Sequence, residues 1–172
     1  LRTLITGGAR SGKSRHAERQ ALATALPVTV IATALAQDEE MRHRIAMHRA
    51  TRPVGWTVVE EPLHLVAALQ AVDSPGRVVL VDCLTLWVTQ LLCSDDPALM
   101  TAETDALLDL VPRLAAETWF ISNETGLGIT PLGELTRRFV DTMGRLHQEL
   151  AARCDRVLFM VAGIPLTIKG TP

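Results

Sequence analysis

The chain reads as an α/β protein with a mostly parallel central sheet flanked by helices. Short β-rich runs alternate with helix-length segments along all 172 residues, and several of those runs are apolar without a break. Val78-Val79-Leu80-Val81 is the clearest. An uninterrupted Val/Ile/Leu run suits a strand buried on both faces, as in a parallel sheet covered by helices. In such sheets ligands sit outside the carboxyl ends of the strands.

In chain order, the β-rich runs place strands at residues 3–6, 28–33, 57–59, 78–81, 119–122 and 157–161. Helices are expected at 13–26, 38–50, 62–72, 84–92, 97–116 and 132–153. The fifth helix should bend or break at Pro112, because proline removes a backbone donor. Residues 73–76 and 94–97 have the composition of surface turns. There is no internal repeat, low-complexity tract or linker, so one domain over residues 1–172 is expected. The longest apolar stretch, 157–166, contains Gly163 and Pro165 and falls short of the ~20 residues a bilayer span requires, so no membrane span is expected.

Composition narrows the function. Apolar residues at 48% and charged residues at 21% match an ordinary globular protein and exclude disorder or a fibrous repeat. A balance of 17 basic against 19 acidic residues lacks the excess that nonspecific nucleic-acid or membrane binding needs. Aromatics at 3% are too few for a base-stacking platform, so no nucleic-acid partner is expected. Cys83, Cys93 and Cys154 are odd in number and widely spaced, which fits neither a metal knuckle nor a disulfide framework. With no charged stretch and long apolar run at the start to mark a signal peptide, a cytoplasmic location is expected.

Directly after the first strand stands Gly7-Gly8-Ala9-Arg10-Ser11-Gly12-Lys13-Ser14, a G-x-x-x-x-G-K-[ST] match in strand-to-helix context. Gly7 and Gly12 let the backbone curl so that its N–H groups face phosphate, and the following helix adds its positive dipole end. Lys13 supplies a point charge to the β- and γ-phosphates, and Ser14 a hydroxyl for Mg²⁺. Val78-Val79-Leu80-Val81-Asp82 has the form of a Walker B strand, apolar and ending in a carboxylate that can hold Mg²⁺. Asp82 also suits the N-cap of the next helix, but beside a phosphate-binding loop the metal role is favoured. Cys83 stands where many ATPases carry a water-activating glutamate, so transfer to a substrate is expected rather than hydrolysis.

Arg44, His48 and Arg52 are spaced i, i+4, i+8 and share one face of the second helix while it persists, with Arg49 alongside. A neutral imidazole among guanidinium groups is suited to attack phosphorus, since the neighbouring charges disfavour its protonation and attract polyphosphate. The same spacing admits a structural role, with Met41 and Ile45 on nearly the same stripe and Arg44 paired to Glu40. The other four histidines have no comparable setting in the sequence.

Seven blocks in order, GGARSGKSRHAE (7–18), IATA (31–34), DEEMRHRIAMHRATRP (38–53), VDCLTLWVTQLL (81–92), SNETGLGITP (122–131), RRFVDTMGRLHQELA (137–151) and VAGIPLTIK (161–169), resemble the bifunctional adenosylcobinamide kinase / adenosylcobinamide-phosphate guanylyltransferase family of cobalamin biosynthesis. The likeness spans nearly the whole chain. It implies a RecA-like P-loop NTPase fold, a homotrimer and two reactions. In the first, a hydroxyl of adenosylcobinamide, a corrinoid, attacks the γ-phosphate of GTP or ATP. In the second, a histidine attacks the α-phosphate of GTP and passes GMP to the phosphorylated corrinoid. The resemblance places the guanylylated histidine at His48 and GTP contacts at Gly7, Gly8, Ala9, Arg10, Ser11, Gly12, Lys13 and Ser14. It places further GTP contacts at Ala32, Thr33 and Ala34, at Arg49, Ala50, Thr51 and Arg52, and at Glu60 and Asp82. It also makes residues 123–131, with Gly126 and Gly128, a candidate wall of the corrinoid or nucleotide site. One departure is local: His147-Gln148 stands where relatives usually read Asn-Gln. A guanine-reading N-K-x-D block and a D-x-x-G after the Walker B strand are both missing, which argues against a GTP-dependent switch. A plain small-molecule kinase is distinguished by having no need of His48.

Overall fold

The structure is a computed structural model describing residues 1–35, 39, 42, 43, 47 and 53–171. Its elements are β1 (Arg2–Gly7), α1 (Lys13–Ala23), β2 (Val28–Ala32), β3 (Thr57–Glu60), α2 (Leu65–Val72), β4 (Val78–Asp82), α3 (Leu84–Leu92), α4 (Leu99–Leu110), β5 (Glu117–Ile121), α5 (Glu134–Arg153), β6 (Arg156–Val161) and β7 (Ile164–Lys169). The strands form one seven-stranded sheet in the order β3-β2-β4-β5-β1-β6-β7. Every pairing is parallel except β6 with β7.

All six expected strands form. The Val78–Val81 run is at most 1% exposed at each residue, and its side chains divide between two cores. Val79 and Val81 join Leu65, Leu69, Leu84, Trp87, Val88, Leu107, Phe120, Leu146 and Leu150 on one face, beneath α2 to α5. Val78 and Leu80 join Ile5, Val30, Trp119, Ile121, Leu158 and Met160 on the other, against Ala17 and Ala21 of α1. A fully buried Val or Leu contributes roughly 1.5–3 kcal/mol relative to exposure, so this strand holds both layers to the sheet.

The helices depart from expectation mainly at their ends. The fifth is broken as expected: α4 stops at Leu110 and Pro112 lies in a single 3-10 turn, Val111–Arg113. α1 stops at Ala23, where Thr24 Oγ1 donates back to Ala21 O and Ala25 takes a positive φ of 56°. α2 starts at Leu65, because Glu61 Oε1 accepts the N–H groups of Leu63 and His64 and fixes the chain in a turn before the helix. Asp73 does more than turn the chain. Its Oδ1 accepts from Ala115 N at 3.0 Å and Ala116 N at 2.8 Å, anchoring the entry to β5. Residues 39, 42, 43 and 47 are helical, and the rest of the expected 38–50 helix lies outside the described residues.

Strand β7 was not expected. Gly163 and Pro165 read as breakers, but Ala162 (φ 50°) and Gly163 (φ 83°) form a two-residue turn with positive φ at both positions, the geometry that matches hairpin twist. Pro165 is tolerated because β7 is an edge strand, with one side of its backbone unpaired. Lys169 fixes the far end of this hairpin. Its ammonium donates to Ala151 O, Ala152 O and Cys154 O at 2.7–3.0 Å, satisfying the terminal carbonyls of α5 with a cation at the negative end of the helix.

Candidate nucleotide site

Residues 7–14 join the carboxyl end of β1 to α1 as a loop whose shape rests on its glycines. Gly7 has φ 143°, and a Cβ there would meet the backbone oxygen of Met160 at 2.5 Å. Gly12 has φ 94° and would bring a Cβ within 3.3 Å of Gly163 Cα. Gly8 has nothing within 4 Å. Ser11 O accepts from Gly163 N at 2.9 Å, so the β6–β7 turn supports the loop from beneath.

Lys13 opens α1 and is buried at 6% exposure. Its ammonium donates to Gly7 O at 2.9 Å and Gly8 O at 2.7 Å, with Ser11 Oγ at 3.5 Å. Burial lowers its pKa, opposed by the nearby Cys83 and Asp82. Ser14, one residue on, donates from Oγ to Asp82 Oδ1 at 3.4 Å. The Walker-type serine and carboxylate therefore meet across the gap between α1 and β4. Asp82 is not the helix cap: α3 is N-capped at Cys83 with no side-chain cap bond.

Sheet register brings the other expected residues to one rim. Glu60, Ala32 and Asp82 are successive register partners across β3, β2 and β4, and Asp82 continues to Ile121 of β5, which pairs with Ile5 of β1. Three expected nucleotide contacts thus lie in a row at the carboxyl ends. Thr33 follows β2 with 0% exposure, and its hydroxyl both donates to Cys83 O at 2.7 Å and accepts from Cys83 N at 2.9 Å. Its side chain positions the turn after Asp82, while its neighbour Ala34 is partly exposed. The Cys83 thiol is pushed up to about 11 by burial and then by Asp82, so it stays protonated at neutral pH. His48, Arg49, Ala50, Thr51 and Arg52 lie outside the described residues.

A polar network beside this rim had little signal in the sequence. Asn123 N donates to Thr85 Oγ1 at 2.8 Å, Thr85 Oγ1 lies 3.4 Å from Ser122 Oγ, and Ser122 Oγ lies 2.7 Å from His147 Nε2. The other ring nitrogen of His147 is 4.0 Å from Glu124 Oε2. Burial lowers the His147 pKa, with Glu124 opposing. Glu124 N donates at 3.0 Å to Gly7 O, the same oxygen that accepts from Lys13. The available hints were the position of residues 122–124 after a strand and the unusual histidine at 147. Nothing in the spacing joined them.

A Gly-rich loop cradling a lysine, a serine facing a Walker-type aspartate and a parallel sheet capped by helices define a P-loop NTPase of the RecA-like kind. Solved structures share this fold: one from Pyrococcus horikoshii OT3 (PH0250) at TM-score 0.55 and 10% identity, covering 99% of this chain and 86% of its own, and the RadB recombinase at TM-score 0.53 and 18% identity, covering 92% and 73%. The family model described as cobinamide kinase / cobinamide phosphate guanyltransferase matches residues 3–168, and the chain belongs to that family. The bifunctional adenosylcobalamin biosynthesis protein CobP of Pseudomonas aeruginosa is 56% identical over 172 residues, covering 100% of this chain and 99% of its own. Its counterpart CobU of Escherichia coli K12 is 40% identical over 179 residues, covering 96% and 98%. Among the described residues no helix is long and apolar enough to cross a membrane.

Proposed function

We propose that residues 1–172 act as one P-loop transferase domain performing two successive transfers in cobalamin biosynthesis. In the first, the terminal hydroxyl of the aminopropanol arm of adenosylcobinamide attacks the γ-phosphate of GTP or ATP and releases the nucleoside diphosphate. In the second, His48 attacks the α-phosphate of GTP, releases pyrophosphate and passes GMP to adenosylcobinamide phosphate, giving adenosylcobinamide-GDP. Covalent catalysis here divides one difficult transfer into two easier ones.

The observation that carries this reading is the meeting of the 7–14 loop, Lys13 and the Ser14–Asp82 pair at one rim, in a chain of the cobinamide kinase / guanyltransferase family. On nucleotide binding, Lys13 exchanges its loop carbonyl partners for β- and γ-phosphate oxygens, and the backbone N–H groups of Gly8 to Lys13 surround the phosphates. Ser14 and Asp82 form a hard-oxygen pair suited to Mg²⁺, which takes one or two protein ligands and keeps water for the rest. Such an ion, when bound, neutralises charge on the phosphates. Ala32, Thr33, Ala34, Glu60 and the 49–52 segment complete the nucleotide contacts, GTP serving both steps and ATP the first. We place the enzyme in the cytoplasm as a homotrimer, as the family resemblance implies; association is supported by Ile164, Leu166 and Ile168 of the edge strand, which are 69%, 56% and 62% exposed.

The test uses purified protein, Mg²⁺ and GTP labelled at the α-phosphate, with and without adenosylcobinamide phosphate, then denaturation. Wild type is expected to keep acid-labile, alkali-stable label that His48→Ala loses. A folded, nucleotide-binding wild type that never takes label under either condition would sink the guanylyl step and leave a kinase alone.

A further inference from the structure

The first transfer needs a base for the proton of the attacking hydroxyl, and the residues that carry the phosphate chemistry are already engaged. Among the described residues of the phosphate site, Asp82 accepts from Ser14 and Lys13 is a cation. Glu124 is different. It follows β5, the strand lying between the P-loop strand β1 and the Walker strand β4. Its backbone is tied to the P-loop by the bond to Gly7 O, so its main chain and the Lys13 ammonium hang from a single oxygen. That places the Glu124 main chain two hydrogen bonds from the Lys13 ammonium.

The carboxylate is also oriented. Oε1 accepts from Gly126 N at 2.7 Å, which directs the other oxygen, Oε2, toward His147 Nδ1 at 4.0 Å. The Glu124 side chain keeps 25% of its surface exposed, whereas His147 keeps 12%. The His147 ring is fixed at its far side by Ser122, itself 0% exposed and backed by Thr85. If Asn123 N–H donates to Thr85, Thr85 to Ser122 and Ser122 to Nε2, the neutral ring carries its proton on Nδ1, facing the carboxylate.

We propose that Glu124 is the general base of the phosphoryl-transfer step and that His147 is a positioning residue which orients its Oε2 beside the P-loop. The inference rests on the kinase step proposed above. As the substrate oxygen forms its bond to the γ-phosphorus, the bond from phosphorus to the β,γ-bridging oxygen breaks. The bridging oxygen leaves with the electron pair on the nucleoside diphosphate. The hydroxyl proton moves to Glu124 Oε2, which later releases it to solvent. A positioned general base contributes about 10²–10⁴-fold to such a step.

The test is steady-state phosphorylation of adenosylcobinamide by the full chain with GTP and Mg²⁺, alongside the affinity for a fluorescent GTP analogue and the melting temperature. Glu124→Gln keeps the oxygen that accepts from Gly126 and removes the base. It is expected to lower kcat about 10²-fold or more while nucleotide affinity and melting temperature stay at wild-type values. His147→Ala is expected to lower kcat several-fold at unchanged nucleotide affinity, and His147→Asn, which keeps a polar amide facing Glu124, to recover most of it. A Glu124→Gln enzyme within twofold of wild-type kcat overturns the base assignment. A His147→Ala loss that merely follows weaker nucleotide binding or a lower melting temperature overturns the positioning role. If wild type itself transfers no phosphate to the hydroxyl, the kinase reading fails first and takes this inference with it.

Discussion

Gly7 and Gly8 are adjacent in the sequence and opposite in what they tolerate. At Gly7 a methyl group would run into backbone, Met160 O at 2.5 Å, and φ is 143°, so neither neighbour nor dihedral can yield cheaply. Gly8 has open space around it and no positive φ. Gly7→Ala is therefore expected to lower folding stability by about 2–3 kcal/mol in urea unfolding. Gly8→Ala should stay within about 0.5 kcal/mol. Equal losses at the two sites would show that the loop is not pinned against β6. The first glycine was legible as part of a phosphate motif, but not as the point where the loop touches Met160, because that contact spans 153 positions of chain. The same holds for the polar network: residues 122–124 belong to a family-like block and His147 is a local departure, but only the sheet and α5 bring them together.

Among the described residues, the shortest ion pair between separate elements joins Arg2 at the start of β1 to Asp155 between α5 and β6. Arg2 donates from Nε at 2.8 Å and Nη2 at 2.6 Å to the two carboxylate oxygens, and from its backbone N at 2.7 Å. The hydrogen bonds from Arg2 hold the Asp155 carboxyl down at about 2. A depressed carboxylate stabilises the fold above its unfolded pKa of about 4, and that contribution is lost as pH falls from there toward 2. With side chains 24% and 37% exposed, solvent screening limits the effect to about 1 kcal/mol. Urea midpoints for wild type and Asp155→Asn should differ at pH 5 and converge near pH 2. A gap that persists undiminished into acid would mean the carboxylate charge is not responsible. At this scale the sequence was most informative where burial is symmetric, as in β4, and least where one chain end answers another. The hairpin to β7 was hidden because Gly163 and Pro165 are breakers by composition, and only their places at a turn and on an edge make them compatible with a strand.

For the molecule as a whole, the edge formed by β7 carries Ile164, Leu166 and Ile168, all more than half exposed. Leu127, Ile129 and Leu132, at 80%, 98% and 98% exposure, add apolar surface before α5. Exposed apolar area of this kind marks association surfaces. Leu166→Lys places a charge on that edge with little effect expected on the buried cores. Analytical ultracentrifugation should find wild type at three times the chain mass and the variant at one. A variant that remains trimeric would move the interface elsewhere. The fold class, the phosphate loop and the Walker strand were readable because each is encoded locally, in eight consecutive residues or one apolar run. An association surface on β7 would not be local in that sense, since an exposed leucine on an unrecognised strand carries no pattern of its own.

The turn that begins β7 is also the one whose Gly163 N–H holds Ser11 O and whose backbone closes on Gly12. A molecule that binds phosphate at the loop and a molecule that covers the edge would therefore both bear on this turn. Any coupling free energy between two binding events is reciprocal. Were association to take place at that edge and to tighten nucleotide binding, a diluted enzyme would hold its substrate less tightly, and a saturated one would resist falling apart.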